Sequence, residues 1–194
     1  AFLGLLTSNM IAAYLSQDTL ISSIKNFMHE KIVSYESTIK VTYQDNFDRQ
    51  KKLMDQWGDD VIKKIDINSR LKRKLSITNQ MTLEKNSAEL PEMTFQENSL
   101  DTHAFVDLLA KQTNASITVL QYSEWGLVRI STSIHKDDGT RAINTYIPTS
   151  SPVVQNLLKG ETYIGRAQVL GKWYMTAYKP IMKNNQLVGA FFMG

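Results

Sequence analysis

From Leu5 to Trp57 the chain runs 53 residues without a glycine or a proline. That stretch restricts the fold severely, because glycine and proline are the residues that ordinarily punctuate helices and turns. As one helix it would reach ~80 Å at the α-helical rise. Apolar residues recur at Met28, Ile32, Tyr35, Ile39, Tyr43, Phe47, Met54, Trp57 and Val61, with polar Gln50 inside the series. Steps of three and four mark one face of a helix. The opposite face carries Lys, Asp, Glu and Gln. A helix of this length without internal caps reads as a spine, not as a member of a compact bundle. It is expected over residues 1–64, with a break near Ser16–Thr19 or at Gly58.

After Gly58 the period changes from helical to alternating. "KLSITNQMTL" puts Leu75, Ile77 and Asn79 on one side, as a strand does. "LDTHAFVDLLAKQT" reads as a short helix with Asp101 or Thr102 as its N-cap. Strand-like runs follow in quick succession: "ASITVLQY", "GLVRISTSI", "TRAINTYI", "TYIGRAQVL", "KWYMTAYKPIM" and "QLVGAFFM". Turn residues separate them at Glu124-Trp125-Gly126, Asp137-Asp138-Gly139, Leu170-Gly171-Lys172 and Asn184-Asn185. One interruption, "SSPVVQNLLKG", reads as a short helix with Pro152 in its first turn and Gly160 closing it. The expected architecture is α+β: a long N-terminal helix packed on an antiparallel sheet of five to six strands over residues 65–194. A sheet covered by the long helix on one face, and half-covered by a short helix and loops on the other, leaves a pocket.

Composition excludes several functions. With no cysteine there are no disulfides, thiolate metal sites or cysteine nucleophiles. His29, His103 and His135 are scattered, and the aspartates of "HKDD" at His135 are expected to shape a turn. No HExxH, GxSxG or P-loop spacing occurs. No catalytic residue, metal or cofactor is therefore expected. The net charge of +3 is too dilute for a nucleic-acid footprint, and the basic run "RLKRK" from Arg70 has no stacking aromatics beside it. Both ends of the chain are apolar, "AFLGLL" and "QLVGAFFMG", as if a membrane segment lay outside each. Six apolar residues are themselves far short of the ~20 a spanning helix needs.

Candidate binding residues fall in the later strands. Period two places Tyr174, Thr176 and Tyr178 on one face of "KWYMTAYKP", polar and aromatic, and Trp173, Met175 and Ala177 on the other, toward the long helix. A tyrosine hydroxyl can donate to a carboxylate while its ring excludes water; the competing reading packs these rings in the core with hydroxyls at its rim. Tyr163 shares a face with Gly165, leaving Arg166 either on the surface or in the pocket through local twist. Arg129 and Arg141 are further cations able to grip a carboxylate through a bidentate fork, or else exposed strand residues. Trp125 is a lid or a loop anchor. Ser150 and Ser151 could meet an anion, and capping is their favoured role.

The ordered series "LVRISTSIHKDDGTRAINTYIPTSSPVVQNLLKGETYIGRAQVLGKWYMTAYKPI", then "LVGAFFMG", with "LSITNQMTLEKNSAELPEM" and "FVDLLAKQTNASITVLQ" before it, resembles the single-Cache extracellular sensor domain. The likeness is to the fused Cache variety common in bacterial methyl-accepting chemotaxis proteins, and it covers nearly the whole chain. It implies a PAS-like antiparallel sheet on a long N-terminal helix, held in the periplasm between two inner-membrane helices. It implies a small-molecule ligand such as an organic acid or amino acid, a homodimer formed through the N-terminal helix, and a signal leaving through the last strand. Arg141 stands soon after the D-x-G turn, where related citrate-type sensors carry a basic residue, which makes it the first candidate for the anion. One departure is "KNNQLVG", with Asn184-Asn185 where relatives carry an acidic-glycine turn; asparagine tolerates the left-handed conformation the turn needs. The same module on a histidine kinase or diguanylate cyclase, and a protein-interaction module without a small ligand, are the competing readings.

Overall fold

A computed structural model describes the backbone of residues 2–194 and the side chains of residues 14 and 16–194. The side chains of the apolar opening lie outside the described residues. A single helix, α1 (Phe2–Lys63), takes up the whole Gly/Pro-free stretch, and the breaks expected at Ser16–Thr19 and Gly58 do not occur. Gly58 has a packing reason to be there. A Cβ at this position would come within 2.8 Å of Met54 Sδ and 3.0 Å of Lys179 Cδ, so glycine lets the helix cross a strand closely. Lys179 Nζ then pairs with Asp59 Oδ1 at 2.9 Å on the next residue of the helix.

The chain divides into two compact units, Ala1–Asp45 and Asn46–Gly194. The division falls inside α1, not at its end as residues 1–64 and 65–194 would have it. The reason is that Leu53, Met54, Trp57, Val61 and Ile62 pack into the core of the second unit. In the first unit, Ile21, Ile24, Met28, Ile32, Tyr35, Ile39 and Tyr43 are all exposed. Among the described residues no helix is long and apolar enough to cross a membrane.

The sheet has nine strands, not five to six: β1 (Ile65–Asn79), β2 (Lys85–Phe95), β3 (Asn98–Ser99), β4 (Ile117–Ser123), β5 (Gly126–Thr132), β6 (Thr145–Pro148), β7 (Tyr163–Val169), β8 (Lys172–Lys183) and β9 (Gln186–Met193). Their order is β3-β2-β1-β6-β5-β4-β9-β8-β7. All neighbours are antiparallel except β1 and β6, which meet in parallel at Thr78 and Asn79. The extra strands come from the long β1–β2 hairpin. Its second arm contains Pro91, which sits where the register breaks between Asn68 and Lys72. A bulge is one of the places inside a hairpin that tolerate a residue without an N–H. The basic run from Arg70 lies within β1 instead of linking helix to sheet.

Helix α2 (Ala104–Thr113) has His103, not Asp101 or Thr102, at its N-cap, without a side-chain capping bond, and the 3-10 turn before it, Leu100–Thr102, is capped by Ser99 Oγ, which accepts from Asp101 N. Helix α3 (Pro152–Leu158) is capped as its sequence suggests: Ser151 Oγ accepts from Val153 N, with Pro152 in the first turn. The two faces of the sheet bury separate apolar layers. Met54, Val61, Val106, Ala177, Ile181 and Phe191 belong to the α1 and α2 side. Val153, Val154, Leu157, Tyr178, Ala190 and Phe192 belong to the α3 side. Consecutive residues divide between the layers at Ala177/Tyr178 and Phe191/Phe192, as the pleat of a strand requires.

Candidate functional site

Between α3, β7, β8 and the turn of the β1–β2 hairpin lies a hollow of about 300 Å³. Its apolar wall includes Ile147, Pro148, Val153 and Ala167. Three of the expected residues, Tyr163, Arg166 and Tyr178, line it. Tyr178 is only 1 % exposed and packs its ring 4.8 Å from that of Phe192 and 6.2 Å, edge-on, from that of Tyr163. Burial pushes its phenol up to about 12, while nearby Arg129 pulls in the opposite direction. No hydrogen bond to its hydroxyl is made by the described residues. Tyr163 bends over its own strand, because Gly165 has no side chain to stop it, and donates its hydroxyl to the Arg166 carbonyl at 2.8 Å.

Arg129 on β5 is 2 % exposed. Its Nη1 donates to Thr145 Oγ1 at 2.9 Å and its Nη2 to Gln80 Oε1 at 2.7 Å. Both acceptors are neutral, and among the described residues no carboxylate pairs with it. Burial pushes the guanidinium's pKa down, but arginine remains charged in proteins. A buried charge ordinarily has an opposite charge beside it; among the described residues Arg129 has only these two neutral acceptors. Gln80 Nε2 also donates to the Gln168 carbonyl on β7 at 3.2 Å. Gln80 therefore stands between the guanidinium and the hollow it lines.

The other expected site residues go elsewhere. Arg141 is ion-paired to Asp107 on α2, with contacts at 2.7 and 3.0 Å, and also donates to the Thr132 carbonyl. Its charge is spent within the fold, although it borders a separate hollow of about 660 Å³. Thr176 is fully buried and donates to the Gly165 carbonyl at 2.8 Å, so it presents no polar atom to the hollow. Trp125 donates its indole N–H to the Ser87 carbonyl at 3.2 Å and pins the β4–β5 turn to β2, outside the hollow's lining. Tyr174 lines a third hollow of about 210 Å³ beside Asp137 and Lys172. Arg166 is exposed and stacks on Trp173 with its guanidinium 4.8 Å from the ring centroid. Trp173 thus stands 61 % exposed at the hollow's rim and not against α1 as alternation implied. Among the described residues no group of three or more His, Asp or Glu is placed to hold a metal ion. The aspartate expected to shape a turn, Asp138, accepts from both the backbone and the hydroxyl of Thr140.

The sequence matches the Cache 3/Cache 2 fusion domain family over residues 14–194. The chain belongs to that family. No curated protein and no solved structure matches it. A Cache domain is an extracellular ligand-binding sensor module, of a kind that is typically non-enzymatic and binds small molecules. The long helix followed by a mostly antiparallel sheet is the α+β architecture of this family. In this Cache domain the β7–β8 hairpin, α3 and the β1–β2 turn line the hollow, and Arg129 is not itself in the lining but reaches it through Gln80.

Proposed function

We propose that this Cache domain is the periplasmic sensor of an inner-membrane chemoreceptor and that it binds a small organic anion, a carboxylate, in the hollow under α3. The observation that carries the reading is the buried Arg129, held by two neutral oxygens and, among the described residues, by no acidic side chain. A ligand carboxylate would supply the missing charge through short, charge-assisted hydrogen bonds. Tyr178 adds an unengaged hydroxyl, and Arg166 stacked on Trp173 offers a second cation at the rim. The apolar wall buries the ligand's carbon skeleton.

The route outward is short. Tyr178 pairs with Phe192 across β8 and β9, ring against ring. A ligand that repositions Tyr178 acts on the last strand through one contact. The exposed apolar stripe on α1 supports a homodimer through that helix, since a face of this extent ordinarily meets a partner.

Thermal-shift measurements against a panel of organic acids and amino acids test the site. At least one acid is expected to raise Tm; Arg129→Gln abolishes the shift and Arg141→Gln preserves it, because Arg141 already has Asp107. If no acid stabilises the protein, or if the loss follows Arg141 and spares Arg129, the proposed site is wrong.

A further inference from the structure

The residue that meets Arg129 is a glutamine on a hairpin turn, and turn residues ordinarily point their polar groups into water. Gln80 points inward. Its backbone N–H donates to the Tyr146 carbonyl at 3.1 Å, while Asn79 folds the turn around itself by accepting from Met81 N and Thr82 N. The Gln80 side chain then spans the gap between two strands, accepting from Arg129 on β5 and donating to the Gln168 carbonyl on β7. It lines all three hollows on this side of the molecule, those of about 300, 210 and 660 Å³. Gln80 is the residue that the lining of the 300 Å³ hollow shares with each of the other two.

We propose that Gln80 is an internal placeholder for the ligand. Its amide oxygen holds the seat on Arg129 that an incoming carboxylate oxygen takes, and its departure unlatches the β1–β2 turn. The inference rests on the reading that a carboxylate binds at Arg129. An amide oxygen and a carboxylate oxygen accept from a guanidinium with the same geometry, but the charged acceptor forms the stronger bond by roughly a factor of two. The exchange therefore runs in the ligand's favour. Once displaced, Gln80 also gives up Gln168, so the hairpin turn loses its two side-chain ties to β5 and β7, and the hollow opens into its neighbours. Binding at one buried charge thereby becomes movement of a hairpin. The placeholder also sets specificity. A neutral ligand offers Arg129 nothing better than the amide already there, so the site selects against uncharged analogues of its acid.

Calorimetric titration with acetate, succinate, citrate and glutamate tests this on the wild type, Gln80→Ala, Gln80→Glu and Arg129→Gln. Removing an internal competitor is expected to tighten binding of the preferred acid about tenfold. Gln80→Glu fills the seat with a charge and is expected to abolish binding. Binding of the same acid by both proteins, tighter in Gln80→Ala, supports the placeholder. If the wild type binds an acid, Arg129→Gln loses it and Gln80→Ala binds equally or less well, the placeholder is overturned and the carboxylate site stands. If neither the wild type nor Gln80→Ala binds any of the four, or Arg129→Gln binds as well as the wild type, both fall. Hydrogen exchange on the wild type gives an independent reading should a variant not fold. Saturating acid is expected to raise exchange at the Met81–Glu84 amides, and unchanged or slower exchange there rejects the unlatching.

Discussion

If Arg129 is kept for a ligand, then removing it should make the protein more stable. The substitution is Arg129→Met, which retains an unbranched side chain of similar length and removes the charge. The side chain is 2 % exposed, and burying an ion costs several kcal/mol even after the surroundings relax. Against that stand two hydrogen bonds, to Thr145 Oγ1 and Gln80 Oε1, each contributing about 1.5–3 kcal/mol because the donor is charged. The two sides nearly cancel, so the charge contributes little net stability. Methionine escapes the desolvation cost and adds apolar contact. Little is orphaned by the change: the Thr145 hydroxyl still donates to the Ala142 carbonyl at 2.8 Å, and the Gln80 amide borders a hollow where it can reach water. A gain of about 1–3 kcal/mol is expected, from the desolvation cost that methionine escapes. At this chain length each kcal/mol moves Tm by about 2–4 °C. Urea unfolding followed by tryptophan fluorescence, in buffer free of organic acids, measures it, with an unchanged m-value as the check that both states keep their compactness. A loss of about 2 kcal/mol or more would refute the reasoning. It would show that Arg129 is a strut joining the β1–β2 turn to β5, and that its charge needs no ligand to explain it.

Burial and close strand packing each set a further outcome. Tyr178 has its phenol pushed up to about 12 by burial, against 10 for the free side chain. Below pH 10 both folded and unfolded states keep the proton; between 10 and 12 only the unfolded state ionises, so stability falls through that window by roughly 3 kcal/mol. Tyr178→Phe should lack this loss, and superimposable stability-versus-pH curves for the two proteins would contradict the burial argument. Gly189 lies where β9 approaches β4 so closely that a Cβ would stand 2.3 Å from the Leu120 carbonyl oxygen and 3.1 Å from Met93 Cε. Backbone cannot move aside as a side chain can, so Gly189→Ala is expected to cost about 3 kcal/mol, read as a lowered urea midpoint; a wild-type midpoint would show that the strands are not so closely apposed.

The elements with local punctuation were legible in the sequence. The absence of glycine and proline foretold α1, and Ser151-Pro152 with a closing Gly160 foretold α3. The Asn184-Asn185 turn, with φ of 49° and 60°, is the left-handed pair its sequence allows. Strand β2 was missed because Pro91 argues against a paired strand, and the bulge that admits it is a feature of the pairing, not of either arm alone. The site was legible only in part. Alternation puts Tyr178 on the α3 side, but every residue of β5 is buried, so "GLVRIST" has no polar-apolar rhythm to say that Arg129 is deep inside. Arg141 is marked by the resemblance to citrate-type sensors, which carry a basic residue after the D-x-G turn, and only the packing of α2 brings Asp107 to it. Arg166 and Trp173 reach the rim because β7 is an edge strand and their stack leans across the end of the hairpin. Gln80 carries no signal, because "KLSITNQMTL" reads as one strand through Leu83, whereas β1 ends at Asn79 and the chain turns at Gln80.

The place of β9 in the sheet limits how a disturbance can leave the domain. It is flanked on both sides, by β4 from Ile117 to Gln121 and by β8 from Ala177 to Lys183. Beyond the strand, Gly194 exchanges both backbone hydrogen bonds with Ser116, at 2.7 and 3.0 Å. Sliding by one residue would break both ladders and turn Phe191 and Phe192 inside out. β9 therefore cannot slide along its own axis without breaking both ladders, and a tilt of this strand carries its two neighbours with it.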